Sequence, residues 1–133
     1  MQHEIIEIKG DLPLLPAMLW RVNKLYRPDA TFYRVELCDD GVLVATSFVV
    51  EAGDVVEILA TEVRRDMRRQ GYGRAIKCAI AQRWPNATWE GALASAGWHQ
   101  RLVNEGVAVR TGPDAYRFAA STHRLEPRRA GGA

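Results

Sequence analysis

One stretch narrows what this chain can fold into more than any other: Val55 to Trp84, VVEILATEVRRDMRRQGYGRAIKCAIAQRW. Its opening, Val55 to Val63, is mostly apolar and rich in β-branched residues, which favours a buried strand over a helix of that length. From Tyr72 the period changes. Tyr72, Ala75, Ile76, Ala79 and Ile80 recur at helical spacing while Arg74, Lys77, Ala81 and Gln82 fall on the other side, which predicts an amphipathic helix. Between the two lies an arginine-rich loop, Arg64 to Gly73.

A strand, a glycine-bearing turn and a helix together make a device for holding an anion. The first amides of a helix have no internal partner, and the helix dipole adds partial positive charge at the same end. Gly71 and Gly73 carry no side chains, so a phosphate can approach the backbone there. Arg64, Arg65, Arg68, Arg69 and Arg74 surround the turn with permanent charge suited to forked contacts with phosphate oxygens. A phosphorylated ligand is therefore expected. The stretch lacks GxxxxGK[ST], so no lysine and hydroxyl are set for a nucleoside triphosphate and its magnesium, and it lacks the GxGxxG of dinucleotide folds.

What it does contain is Arg68-x-x-Gly71-x-Gly73, after a strand and opening a helix. This resembles the [Q/R]-x-x-G-x-[G/A] motif of the GNAT superfamily of N-acetyltransferases, in which backbone amides hold the pyrophosphate of acetyl-coenzyme A. Val63 matches the apolar position with which that family's strand usually ends. The resemblance implies that the coenzyme is ordered by Val63 and Arg68 and by the amides of Arg69, Gln70, Gly71, Tyr72, Gly73 and Arg74.

The remaining segments agree with that frame. Glu4 to Lys9 reads as an opening strand, and Leu15, Met18, Leu19, Val22, Leu25 and Tyr26 as one amphipathic helix closed by Pro28. Thr31 to Cys38 and Val42 to Val50 form a hairpin around Asp39-Asp40-Gly41. After the central helix come a short strand at Ala87 to Glu90, a helix from about Ala92 to Glu105 ended by Gly106, and a hairpin of Val107 to Thr111 with Tyr116 to Ala120. The expected architecture is α/β (α+β): a GNAT-type mixed, mostly antiparallel sheet of about seven strands with three or so helices on its faces. Residues 1–120 form one domain, and the tail 121–133, with little to bury, is expected to be disordered. The resemblance also implies that the central strands splay and that the pantetheine arm lies in the gap beside Val55 to Val63.

At 133 residues and 47% hydrophobic, the chain has apolar material for a single core. A net charge of +2, concentrated in the central loop, speaks against a nucleic-acid groove. No leader and no apolar run of membrane-spanning length is present, so a soluble, cytoplasmic protein is expected. Cys38, Cys78, His3, His99 and His123 have no metal-ligand spacing, so reduced thiols and no metal are expected.

Acetyl transfer to an amine requires that the amine lose a proton, that the oxyanion be stabilised, and that the departing thiolate be assisted. A lysine-like amine has a pKa of ~10.4, so a carboxylate of raised pKa is a reasonable base. Glu57 interrupts the apolar run Val55 to Ala60, where a buried charge without purpose is costly. GNAT protein-lysine acetyltransferases carry their basic glutamate at the same offset from the pyrophosphate motif. The other reading of Glu57 is a strand-edge carboxylate, paired with an arginine or open to solvent. Glu62, on the opposite strand face by alternation, is a second candidate. For the acid, many relatives use a tyrosine in the second helix. Here the matching segment places Trp98 at the family's aromatic position and His99 at the tyrosine; His99, with an ordinary pKa near 6.5, is one candidate. Tyr116, Tyr72 and Tyr33 are the others. The asparagine that often precedes this helix is absent, with Ala92 near its place.

The short first helical region leaves an open acceptor site, suited to a protein lysine, a protein N-terminus or a bulky amine, unless a partner subunit in a homodimer supplies the missing wall. Asp39, Asp40, Glu51 and Asp54 at the turns offer a cationic acceptor an acidic neighbourhood. Two further readings stay open: a non-catalytic coenzyme A-binding module, and a nucleic-acid partner such as transfer RNA stacking on Trp84, Trp89 and Tyr72.

Overall fold

A computed structural model of the chain describes residues 1–9, 30–91 and 96–122. Among them, alternating β-branched segments pair into one seven-stranded sheet in the order β1-β2-β3-β4-β5-β7-β6. Strands β1 (Gln2–Ile8), β2 (Thr31–Asp39), β3 (Val42–Ala52) and β4 (Val55–Val63) pair antiparallel in succession, β1 with β2, β2 with β3 and β3 with β4. The β2–β3 turn places Asp40 at φ 51° and Gly41 at φ 76°, the two positive values that a tight hairpin turn matching the strand twist demands. The Asp-Asp-Gly signal is realised where the sequence predicts it.

After β4 the chain makes a 3₁₀ turn at Arg65–Met67 and enters helix α1 (Tyr72–Arg83). That helix returns the chain to β5 (Thr88–Glu90), which lies parallel to β4, as a parallel neighbour requires a crossover. Helix α2 (Ala96–Asn104) follows, stopped by Gly106 at φ 76°, and the last hairpin inserts β7 (Ala115–Phe118) between β5 and β6 (Ala108–Arg110). The described residues thus hold the mixed, mostly antiparallel sheet expected, with two α-helices. The helix predicted over Leu15 to Tyr26 lies outside the described residues, as do the start of the second predicted helix and residues 123–133 of the tail. Thr122, in the segment expected to have little to bury, is fully buried, and its hydroxyl donates to the Val107 carbonyl at 2.7 Å.

The β4–β5 pairing positions the site. It consists of Glu57 with Thr88 and Ile58 with Trp89, and it ends there although β4 continues to Val63. On the other edge of β4, Val49 faces Ile58 and Phe48 faces Ala60, which leaves Leu59 as a bulge residue. A bulge bends its strand and increases the local twist. The bulge and the end of β5 pairing thus coincide at one point, and β4 runs on from there without β5 beside it.

The two sheet faces are filled differently. Val35, Val49, Ile58, Ile76, Ile80 and Trp84 form the main core under α1. On the opposite face a smaller cluster gathers Val50 and Leu59 with the half-buried Phe32, Phe48 and Ala60. Nine of the twelve α1 residues are buried, so the helix is not two-sided as the periodicity predicts. Lys77 and Ala81, assigned by spacing to the outer side, are 2% and 0% exposed. Trp98 packs on Gly73 and Lys77, and Glu105 pairs with Arg74, so the α2 region covers the side that spacing leaves to water.

Candidate active site

The turn between β4 and α1 is built largely from backbone. Arg69 has φ 66° and Gly71, the N-terminal cap of α1, has φ 83°. Glycine adopts that left-handed conformation without the Cβ penalty borne by other residues. The first backbone bond of the helix is Ala75 N–H to the Gly71 carbonyl, at 3.0 Å. Among the described residues, the amides from Arg69 to Arg74 have no backbone acceptor, which leaves a run of donors at the positive end of the dipole. At Gly73 a Cβ would stand 3.0 Å from Cζ2 of Trp98, so a side chain there would press on that ring. These amides fit a pyrophosphate without help from any side chain.

The arginines do not all join this cradle. Arg64 is forked onto Asp66, with Nε–Oδ1 at 3.1 Å and Nη2–Oδ2 at 2.7 Å. Arg74 points toward α2, its Nε 3.2 Å from Glu105 Oε2, although the angle is too poor for a hydrogen bond. Arg68 donates from Nε to the Val63 carbonyl at 3.4 Å and remains exposed. Arg65, Arg68 and Arg69 therefore supply the exposed charge, and Arg74 contributes its amide alone. The five-arginine ring that the sequence suggests is reduced to three because acidic neighbours hold the other two.

Tyr72 anchors the turn. Its ring is in the core, 6% exposed, and its hydroxyl donates to Asp39 Oδ2 at 2.8 Å at the far end of β2. That bond to a carboxylate, with burial, raises the phenol pKa. Tyr72 thus offers the site an amide and a fixed position.

Glu57 lies half-buried on β4, opposite Val50 on β3 and beside Thr88 on β5. It shares its face with the smaller apolar cluster, at the last pairs before the strands part. The bulge changes the relation of the two glutamates. Simple alternation sets Glu62 on the other face, yet Glu57 pairs with Val50 and Glu62 with Thr46, and Val50 and Thr46 share a face of β3. One extra residue at Leu59 therefore brings both carboxylates to the same side, with Glu62 exposed.

His99 and Tyr116 lie on the opposite face, under α2. Their rings stack at 4.9 Å and 22°, and Tyr116 in turn stacks on Trp89 at 6.0 Å. The Trp89 indole donates to His99 Nδ1 at 3.3 Å, which leaves the proton on Nε2. Gly91 makes room for this ring, because a Cβ there would meet His99 Cδ2 at 2.5 Å. Burial, reinforced by the Lys77 charge, lowers the His99 pKa from 6.5 to about 4. The ordinary histidine pKa assumed from sequence therefore does not hold. At neutral pH His99 is an uncharged imidazole that can give a hydrogen bond but has no imidazolium proton to transfer. The Tyr116 hydroxyl accepts from Arg110 Nη2 at 3.2 Å. Tyr33 is elsewhere, its ring against Trp84 and its hydroxyl on Glu51 at 3.4 Å; burial, then the Glu51 charge, raises its pKa.

The structure thus gathers the turn amides, Trp98, Trp89, His99 and Tyr116 around the gap, and sets Glu57 on the other face of the same sheet. Sequence reasoning missed Lys77, whose Nζ stands 4.2 Å from the centre of the Trp89 ring and 5.6 Å from that of Trp98. A signal was present: Gly73, Lys77 and Ala81 follow one another at four-residue spacing, a stripe of small residues flanking a lysine, which leaves room for a large partner ring. Trp84, Trp89 and Tyr72 are 2%, 3% and 6% exposed, so none of them presents a face on which a base could stack. Cys38 and Cys78 are free thiols, Cys78 with its pKa raised by burial. Among the described residues no three His, Cys, Asp or Glu side chains form a metal-holding group, and no helix is long and apolar enough to cross a membrane.

No family model and no curated protein sequence matches the chain. Solved structures do. A candidate N-acetyltransferase, YhhK from E. coli, solved by NMR bound to coenzyme A, aligns at TM-score 0.55 and 17% identity over 90% of this chain and 100% of that one. The ribosomal-protein-S18-alanine N-acetyltransferase from Escherichia coli aligns at TM-score 0.52 and 14% identity, over 87% of this chain and 90% of its own. A tandem GNAT protein from the clavulanic acid biosynthesis pathway aligns at TM-score 0.55 and 12% identity over 83% of this chain, which spans 45% of that longer protein.

Proposed function

Because this chain has the GNAT fold, we propose that it is an N-acetyltransferase that moves the acetyl group of acetyl-coenzyme A directly to a primary amine of a protein or a small molecule. The observation that carries this reading is a coincidence in space: β4 leaves β5 at the Leu59 bulge, and the unpaired amides of the α1 turn stand at the open end of the same strand. The turn amides, with Arg65, Arg68 and Arg69 nearby, bind the pyrophosphate, and the edge of β4 that β5 leaves bare offers backbone groups to the pantetheine arm. Acetyl-coenzyme A is a substrate here, consumed once per turnover.

Glu57 acts as the base. It stands on one face at the point of parting, while His99 and Tyr116 stand on the other. An amine arriving from the Glu57 side gives up its proton there as it attacks, and the sulfur departs toward the aromatic side. Base and leaving group are thereby kept apart. His99, neutral, contributes a hydrogen bond from Nε2–H, and Tyr116 holds the imidazole in place by stacking.

Calorimetric titration with acetyl-coenzyme A, beside coenzyme A and ATP, tests the cradle. Saturable one-to-one binding of both coenzymes with ATP inert is expected, and no heat from either coenzyme would overturn the reading. Amine and peptide screening then tests turnover. Binding with no turnover of any acceptor would leave a coenzyme-binding module.

A further inference from the structure

The two edges of the sheet are built differently. β6 is three residues long, too short to invite another strand. β1 is seven residues long and pairs with β2 in unbroken register, from Gln2 opposite Cys38 to Ile8 opposite Phe32. It contains no proline and no bulge, two of the devices that spoil an edge for pairing. Among the described residues no strand lies on its outer side. Gln2, His3, Glu4 and Glu7 are exposed, and Ile5, Ile6 and Ile8 are half-buried. What such an edge accepts is decided by its charges.

Those charges match a second copy of the same strand in one register. Facing residues of an antiparallel pair must direct their backbone groups the same way, so two copies related by a two-fold axis set one residue opposite itself. Centred on Glu4, the pair would bring carboxylate against carboxylate at the axis. Centred on Ile6, Glu7 would fall opposite the partner's Ile5, and Gln2 and His3 would lie beyond the partner's strand. Centred on Ile5, the midpoint of the strand, every residue from Gln2 to Ile8 is paired and His3 stands opposite the partner's Glu7. We propose that β1 is the interface at which two copies of this chain join edge to edge, antiparallel and centred on Ile5, so that the two sheets run on as one.

The pairing covers what each protomer leaves half covered. Ile5, opposite Val35, packs on the main core, so its contact with the partner's Ile5 carries that core across the axis. His3 and Glu7 flank Ile5 on the same face, and symmetry makes their cross-strand pair twice. An imidazole donates a hydrogen bond to a carboxylate in either protonation state. On the other face Glu4 stands opposite the partner's Ile6, so no like charges meet. Opposite charges in facing positions stabilise a strand pair and like charges oppose it, which makes this register selective as well as favourable. β1 lies three strands from β4, so the gap is away from this interface. The proposal therefore stands apart from the acetyltransferase reading and is tested without it.

The test is sedimentation equilibrium of the full chain and three variants. One paired edge buries less than a standard interface, so the parent is expected to reach a two-chain mass with a Kd on the order of 10 µM. His3→Glu sets a carboxylate opposite the partner's Glu7 at both ends of the pair, and Glu7→Lys removes the acceptor that faces His3. Each should weaken the dimer by about tenfold or more. Both side chains are exposed, so neither change removes a core contact. The double variant His3→Glu with Glu7→Lys restores opposite charges in exchanged places, and its Kd should return to within about threefold of the parent's. A restoration of this kind is specific to the register, because loss of folding or of general solubility would not be repaired by the second change. A parent that stays at the mass of one chain at ~200 µM, about twentyfold above the expected Kd, would overturn the proposal. So would a dimer that both single variants leave unchanged, or a double variant as weak as the singles.

Discussion

The two walls of the gap are made of different material. The wall of β4 and α1 is a backbone wall, in which the working groups are amides placed by Gly71 at φ 83° and by a bulge at Leu59. The wall of β5, α2 and β7 is a side-chain wall, in which Tyr116 stacks on Trp89 and His99, Trp98 tilts against His99, and the tryptophans cover a lysine from α1. A backbone wall accepts any side chain that leaves its dihedral angles alone. A side-chain wall depends on every ring being present, and it sets the dielectric in which the chemistry occurs. Under the proposed function, the diphosphate of the coenzyme would meet the first wall and its thioester the second.

Breaking the backbone wall should have the largest effect. Gly71→Glu forces a side chain into a left-handed position and brings a carboxylate to the phosphate cradle, so acetyl-coenzyme A affinity should fall by ~10³-fold or more in a calorimetric titration. Binding as tight as the parent's would show that the cradle is elsewhere. Next, Glu57→Gln addresses neither wall but the face behind them: turnover of the correct amine should fall by ~10²-fold or more, with coenzyme affinity nearly unchanged. Equal turnover would remove Glu57 from the mechanism.

The side-chain wall is tested by pH. The folded-state pKa of His99 lies at about 4, below its ordinary 6.5, so the unfolded chain binds the proton more tightly. Its neutral form is fully compatible with the fold above pH 6.5, and stability is lost as pH falls from there toward 4. This one group should lower the unfolding free energy by up to about 3 kcal/mol across that window. In His99→Phe that part of the acid dependence should vanish from denaturant melts, and an unchanged pH profile would mean that the imidazole is hydrated.

The smallest effect should come from the link between the backbone wall and the far end of β2. Tyr72→Phe removes the donor to Asp39 and should cost about 1 kcal/mol of stability, with coenzyme affinity weakened only a few-fold as the turn loosens. A change in affinity as large as that of Gly71→Glu would show that Tyr72 does more than hold the turn.

Legibility followed the same division. Strand β4, the turn and the span of α1 were readable because each depends on residues close in sequence: β-branched runs, glycine positions and a change of period. The Asp39-Asp40-Gly41 hairpin was readable for the same reason. Glu57 stood out as a carboxylate in an apolar run. The face of Glu62 was misread because one bulge residue reverses alternation, and nothing in the run Ile58-Leu59-Ala60 marks where an extra residue will be placed. His99 was legible by position but not by protonation, since its pKa is lowered by burial and then by the charge of a lysine on another helix.

By itself, then, the sequence determined the local devices: a strand, a glycine-bearing turn, a helix behind it and a carboxylate in the strand. Tertiary structure alone decided what surrounds them. It drew Arg74 away to Glu105, set Glu57 and His99 on opposite faces, and buried Lys77 against Trp89. The reason is physical. Dihedral preferences and periodicity act over a few neighbouring residues, whereas burial, pairing and desolvation depend on groups that meet only when the sheet has closed around them.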